Sequence, residues 1–476
     1  MRKIALILCA VLLLGMFGCS GGGDTPTTTA PQQTTTGNTE AEITTFSAGF
    51  ARENVTPSYN VGMAGYGNDA ERISQGVLDD IFVTCVALTD AEGNTVLFYT
   101  ADFISVDRSF TSTVQSAVSK ETGVPKENIF LSATHNHSAP ACSTGNMSGT
   151  VREAAVRTAV EALKDRRPAQ VQIASVETEK LNFVRHYLTD KGTYMGDNYG
   201  SGTPIAHESE ADRELQLIKF EREEAKDIAM INFQAHVNIA GKFDMISSDY
   251  IGACRTEFEK KNSDCHFAYF QGAAGNLNPT SYLGEENFTS SNDYMAHGKE
   301  LARFASLAMR KHAEPIETGT IKVTTQIYTA KVRKDTAEFA AAATRFKEVW
   351  DETGSVSKAK EASGGLVNSI YAVSGMATRS RMGESKDFEV NAISIGDISF
   401  VIVPYEMFDT QGMFIKDNTP FKMTFIVGYC NGMNYYIPSE LSFDHGCYEV
   451  DNGWFARGTA EELANLYVKM LNDLHG

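Results

Sequence analysis

Three times along this chain a run of apolar residues stops and, a few positions later, delivers a histidine or a carboxylate: IFLSATHNHSAP from Ile129 to Pro140, IAMINFQAHVNIAG from Ile228 to Gly241, and FVIVPYEMF from Phe400 to Phe408. Apolar runs this short read as buried strands, and in open α/β sheets the ends of such strands are where side chains gather for chemistry. Helical patterns alternate with the runs, so the chain reads as α/β: a single large domain of mixed β-sheets flanked by helices. Ile81 to Leu88 and Thr95 to Tyr99 are expected as paired strands around the turn Asp90 to Asn94. Further strands are expected at Ile129 to Ala133, Val171 to Val176, Ile228 to Phe233, Phe267 to Phe270, Ala392 to Ile395 and Ser399 to Val403. Helices are expected over Phe110 to Glu121, Arg152 to Leu163, Ser291 to His312 and Thr459 to Leu474, the last with Thr459 as its cap.

The first residues stand apart from that domain. Met1, Arg2 and Lys3 precede an apolar run, Ile4 to Phe17, too short to span a bilayer, and Cys19 follows a small residue. Residues 1–19 therefore read as a bacterial lipoprotein signal with Cys19 as the lipid-bearing residue, the alternative being a soluble secreted protein. Either way the mature chain is expected outside the cytoplasm, at the cell surface if anchored. Residues 20–46 read as a flexible linker, since Ser20 to Glu42 is mostly Gly, Thr, Pro and Gln with no large apolar residue to nucleate a core. Residues 47–476 are left as the folded domain.

A net charge of −18 without any run of Lys or Arg excludes nucleic acid as the partner, because phosphate binding needs a basic footprint. Of eight cysteines, six lie beyond the signal: Cys85, Cys142, Cys254, Cys265, Cys430 and Cys447. Outside the cytoplasm these can pair, and Cys254 with Cys265 and Cys430 with Cys447 are the sequence-local choices, buried free thiols being the alternative. None has the C-x-x-C spacing of a structural zinc site.

His135 and His137 flank Asn136, so on an extended segment both imidazoles point to one side and can share a metal or act as ligand and base. A hydrogen-bonded loop pair is the plainer alternative. His236 could be a ligand or a satisfied core histidine. Glu406, directly after an apolar strand, needs a cation or donors to offset its desolvation, which a metal or an Arg or Lys would supply equally well. Tyr435, Tyr436 and Tyr448 lie in an aromatic-rich stretch that packing alone could explain. The small residues of FQGAAGNLNP, Phe270 to Pro279, allow either a close approach to a ligand or a tight turn. There is neither a P-loop nor a Gly-x-Ser-x-Gly nucleophile elbow.

Taken in order, AGFARENVTPSYNVGMAGYG, THNHSAP, NFQAHVNIAG with SSDYIGACR, and YYIPSELSFDHGCYEV resemble the motifs of the neutral, non-lysosomal ceramidase family over nearly the whole mature chain. The resemblance implies an α/β catalytic domain binding one zinc through His135, His236, Glu406 and Tyr436, with a position left open for water. It further implies His137 as general base and acid, Tyr448 as a donor to the oxyanion, and Arg185 in NFVRHY near the substrate. The activity implied is zinc-dependent hydrolysis of an amide bond in N-acylsphingosine or a related N-acyl lipid. Where ceramidases carry Gly-Asp-Val-Ser-Pro-Asn, this chain has Gly275, Asn276, Leu277, Asn278, Pro279 and Thr280, which puts the ceramide substrate, rather than hydrolysis, in doubt. Two alternatives stay open: a zinc esterase or peptidase-like hydrolase of a non-lipid molecule, and a surface lipoprotein that binds a ligand without turnover.

Overall fold

Along successive strands the side chains alternate between two cores, which requires two sheets lying face to face with helices outside. The computed structural model describes residues 45–66, 72–143, 145–197, 199–286 and 293–476. The expected signal peptide, Cys19 and nearly all of the linker lie outside the described residues. The strands are β1 (Ser47–Asn54), β2 (Phe82–Thr89), β3 (Thr95–Ala101), β4 (Ile129–Ala133), β5 (Arg167–Glu177), β6 (Phe183–Val184), β7 (His186–Thr189), β8 (Tyr194–Gly196), β9 (Pro204–His207) and β10 (Glu214–Arg222). They continue as β11 (Asp227–Phe233), β12 (Cys265–Gln271), β13 (Leu277–Asn278), β14 (Glu314–Ile316), β15 (Ile321–Lys331), β16 (Ser385–Ile395), β17 (Ile398–Ile402), β18 (Glu406–Met407), β19 (Met423–Val427) and β20 (Tyr436–Ile437). Nine of them form one sheet in the order β12-β11-β10-β5-β1-β2-β3-β4 with β14 on β5, and β15-β16-β17-β19 form a second. Both sheets are mixed: β3–β4, β11–β12 and β17–β19 run parallel among antiparallel neighbours.

Period-two alternation explains the layering. On β3, Leu97 and Tyr99 face one core while Val96 and Phe98 face another; on β4, Ile129 and Leu131 oppose Phe130. The shared inter-sheet core holds Phe98, Phe130, Phe270, Phe400 and Phe425, with Phe98 and Phe400 ring centroids 4.6 Å apart. Truncating either of those two rings to alanine is worth roughly 3–5 kcal/mol in such a core. The outer face of the large sheet is covered by α1 (Arg108–Thr122) and α2 (Gly145–Lys164) at one end, and by α3 (Asp249–Lys261) and α4 (Tyr294–Lys311) at the other. Beyond the second sheet, α8 (Asp409–Asp417) and α11 (Thr459–His475) supply the outermost layer. A small helical unit of α5 (Ala337–Thr353), α6 (Val356–Ala362) and α7 (Ile370–Arg379), inserted between β15 and β16, carries its own core around Phe346. The short helices α9 (Glu440–His445) and α10 (Tyr448–Asn452) precede α11.

The expected strands and helices are present, with ends that differ by a few residues. Residues 291 and 292 of the expected fourth helix lie outside the described residues, and α4 begins at Tyr294. Three expectations change. Thr459 does not cap α11: Gly458, in a left-handed conformation, is the cap, and the Thr459 hydroxyl donates back to Ala456 O. The favoured disulfides do not form, since all six described cysteines are free and buried. His135 is not on an extended segment, because its φ is 64°. Long β15, short β19 and the α5–α7 unit were not foreseen; β15 is largely half-exposed, which masks a strand's pattern.

Candidate metal centre

Backbone bridges between strand-end loops bring the three polar segments together. Past β4, His137 N donates to Val237 O at 2.9 Å, tying the His135 segment to the one that follows β11. The loop after β19 folds back onto β4, where Ala133 N donates to Tyr429 O and Asn431 N to Leu131 O. Glu406 and Tyr436 are in register on the parallel pair β18–β20. Gly275 N donates to Met407 O, and a Cβ on Gly275 would sit 2.8 Å from Glu406 O, so only glycine permits this crossing of backbones. His135, Tyr429, Asn431 and Tyr435 all have positive φ, backbone strain of roughly 1–3 kcal/mol each that clusters around one site.

The result is a buried cluster. Glu406 Oε2 lies 3.4 Å from His135 Nε2 and 3.5 Å from His236 Nε2, and His137 Nε2 is 3.3 Å from His135 Nε2. Tyr436 pairs with Glu406 across β18–β20, and its phenol is among the groups that draw the Glu406 carboxyl back down. Nδ1 of His135 faces Ile104 O at 2.8 Å, and Nδ1 of His236 faces Ala274 O and Leu277 O at 2.9 and 3.0 Å. A carbonyl only accepts, so both Nδ1 atoms carry the proton and both Nε2 atoms turn a lone pair inward, that of His236 also facing Arg185 Nη1 at 3.2 Å. Burial holds His135 and His236 well below the ordinary imidazole range and pulls His137 down to about 3, so all three are neutral. Burial likewise pushes Glu406 up to about 8, against the opposing pull of Arg185.

Two lone pairs and a carboxylate oxygen at such distances repel one another unless a cation or proton lies among them. A proton on Glu406 can serve one imidazole at a time; a divalent ion serves both and the carboxylate together. Two imidazole nitrogens, a carboxylate and a phenol suit zinc, with carbonyl partners behind the imidazoles orienting them.

Residues 46–287 match the model of the neutral/alkaline non-lysosomal ceramidase family, N-terminal region. The chain belongs to this family. Its fold is shared with the crystal structure of neutral ceramidase from Pseudomonas aeruginosa, at 18% identity and TM-score 0.70 over 90% of this chain and 74% of that one. A structure of a ceramidase complexed with C2 matches similarly, at 18% identity and TM-score 0.69 over 90% of this chain and 75% of the other. No curated protein matches by sequence.

The remaining residues that the ceramidase motifs single out also converge. Arg185, between β6 and β7, has Nη1 3.2 Å from His236 Nε2 and its guanidinium carbon 5.5 and 6.0 Å from the rings of Tyr436 and Tyr448. Those two rings are 5.7 Å apart, and Tyr371 of α7 meets Tyr448 edge-on at 5.5 Å. Tyr435 points elsewhere, against Trp454. The loop Phe270 to Pro279 acts on protein, its carbonyls at Ala274, Gly275 and Leu277 holding His236 and Arg185. Two neighbours were missed. Tyr429 stacks on His135 at 4.0 Å with its hydroxyl 3.4 Å from Glu406 Oε2, and Tyr66 lies against His137 at 5.1 Å. The apolar run MTFIV before Tyr429 was the signal that could have exposed it as another strand end.

Proposed function

We propose that this hydrolase of the neutral ceramidase family is a zinc-dependent amidohydrolase of N-acyl lipids, carried outside the cytoplasm and tethered through Cys19. The observation that carries the reading is that the Nε2 atoms of His135 and His236, each turned inward by a carbonyl at its Nδ1, converge on one oxygen of Glu406 at 3.4 and 3.5 Å. His135, His236, Glu406 and Tyr436 would hold the ion. Zinc, when bound, supplies a Lewis acid that polarises an amide carbonyl and eases deprotonation of water.

The protein's own groups do the rest. His137 is neutral and therefore able to take a proton at Nε2 from the attacking water and pass it to the departing amine nitrogen. Burial keeps the Tyr448 phenol protonated well past neutral pH, so it donates to the carbonyl oxygen as negative charge grows there. Asn452 Nδ2 donates to that hydroxyl at 3.2 Å, orienting it. Arg185 adds a fixed positive charge beside His236.

One observation favours a second reading, hydrolysis of a more polar substrate. Asn278, where ceramidases have serine, donates to Asp197 at 3.0 Å, and Asp197 lies 3.9 Å from Arg185, so a part-exposed carboxylate sits at the edge of the centre. Metal analysis of the purified domain together with a panel of fluorogenic N-acyl amides and esters decides. One zinc per chain with turnover of long-chain N-acyl amides is expected; a metal-free protein inert on every amide would sink the proposal, and turnover confined to short, polar amides and esters would select the second reading.

A further inference from the structure

The arginine beside the metal centre is held by buried ion pairs, and we propose that Glu449, backed by His186, is a positioning residue that acts through Arg185. The inference rests on the amide-hydrolase reading above. Glu449 Oε1 lies 2.6 Å from both Nε and Nη2 of Arg185, and Nη2 also donates to Gly275 O at 3.0 Å. Two of the three guanidinium nitrogens are thereby spent on protein. The third, Nη1, is the one aimed at His236 Nε2 and, at 3.9 Å, at Asp197. The other oxygen, Oε2, accepts from His186 Nε2 at 2.8 Å, while His186 Nδ1 donates to Glu208 at 3.0 Å and Glu208 takes His445 Nδ1 at 2.5 Å. Arg185, His186 and Glu449 are all within 5% of full burial.

His186, Cys447 and Glu449 are close enough to suggest a second metal site. Their chemistry says otherwise. Both ring nitrogens of His186 face carboxylates, so both carry protons and neither has a lone pair to give. The alternation of Arg185, Glu449, His186 and Glu208 is complete without an ion.

What it achieves is orientation. A guanidinium fixed at Nε and Nη2 cannot rotate, so Nη1 stays at the centre. Once His236 Nε2 is given to a metal, Nη1 loses its present acceptor and is free for an oxygen gaining charge in the transition state, where a prearranged donor raises kcat more than it lowers KM.

The test is Glu449→Gln, which keeps the shape and an acceptor oxygen but removes the charge. With zinc content at the wild-type level, kcat on an N-acyl amide should fall about 10- to 100-fold and KM change by less than about two-fold. In a cycle with Arg185→Ala, the double variant should be no slower than Arg185→Ala alone. Wild-type kcat in zinc-loaded Glu449→Gln, a loss confined to KM, or losses that multiply in the cycle would each overturn the role. Should Glu449→Gln fail to fold, Glu449→Asp, which keeps the charge but draws the carboxylate back from Arg185, takes its place; a several-fold lower kcat at wild-type KM supports the role and wild-type kcat overturns it. A wild-type protein inert on all amides instead defeats the amidohydrolase reading, and is seen before any variant is compared.

Discussion

Two buried clusters of nearly the same residue types lie side by side here, and they behave in opposite ways. In one, His135, His137 and His236 are held neutral around Glu406, whose carboxyl is driven up to about 8. In the other, burial alone would disfavour both charges, yet Glu449 lifts His186 well above the ordinary imidazole range while Arg185 and His186 hold Glu449 far below the carboxylate range. The difference lies in what stands behind each ring. Carbonyls behind His135 and His236 fix protons on the far nitrogens and aim lone pairs inward; carboxylates on both sides of His186 demand a proton at each nitrogen. Proximity of histidine and carboxylate therefore does not make a metal site. A candidate site also needs imidazole lone pairs turned toward a common point, as those of His135 and His236 are toward Glu406.

That contrast can be broken in several ways. The largest effect is expected for His236→Ala, which should take zinc from one per chain to nearly none and abolish turnover; retained zinc would mean the ion is held elsewhere. His137→Ala should keep the zinc and lose about 10²–10⁴-fold in kcat, as for a lost general base; full activity in the zinc-loaded variant would remove His137 from the proton path. Tyr448→Phe should lower kcat by about 10²–10³ if the phenol serves the oxyanion, and a change in KM alone would argue for packing.

Glu406 supplies a pH test on metal-free protein. Its folded value of about 8 stands above the ordinary carboxyl value of roughly 4.3. Between those values the folded state keeps a proton that the unfolded state has lost, so stability should fall as pH rises from 5 to 8. Thermal unfolding of the chelated protein at both ends of that range checks the slope, and Glu406→Gln should flatten it; an unchanged slope would assign it to other groups. The smallest effect is expected at the second cluster, where Cys447→Ala should leave zinc stoichiometry at the wild-type value by metal analysis. A drop there would overturn the contrast.

Much of the architecture was readable from periodicity. β4, β11 and β17 are strongly apolar and buried on both faces, so their strands and the polar residues at their ends stood out. His135, His137, His236, Glu406, Tyr436, Tyr448 and Arg185 do converge. The His135–His137 pairing does not come from an extended strand: a left-handed turn at His135 swings the two rings to within 4.8 Å. Tyr429 was missed because β19 is short and its follower makes its contacts with distant loops.

The chain by itself determined where strands and helices form and which residue types end them, since burial periodicity is written into neighbouring residues. Only the tertiary structure decided how those ends are used: which carbonyl claims each imidazole proton, that Arg185 pairs with Glu449 rather than Glu406, and that six thiols stay apart. Those outcomes depend on the dielectric and partners that a side chain meets after burial, supplied by segments hundreds of residues away. No local pattern encodes them.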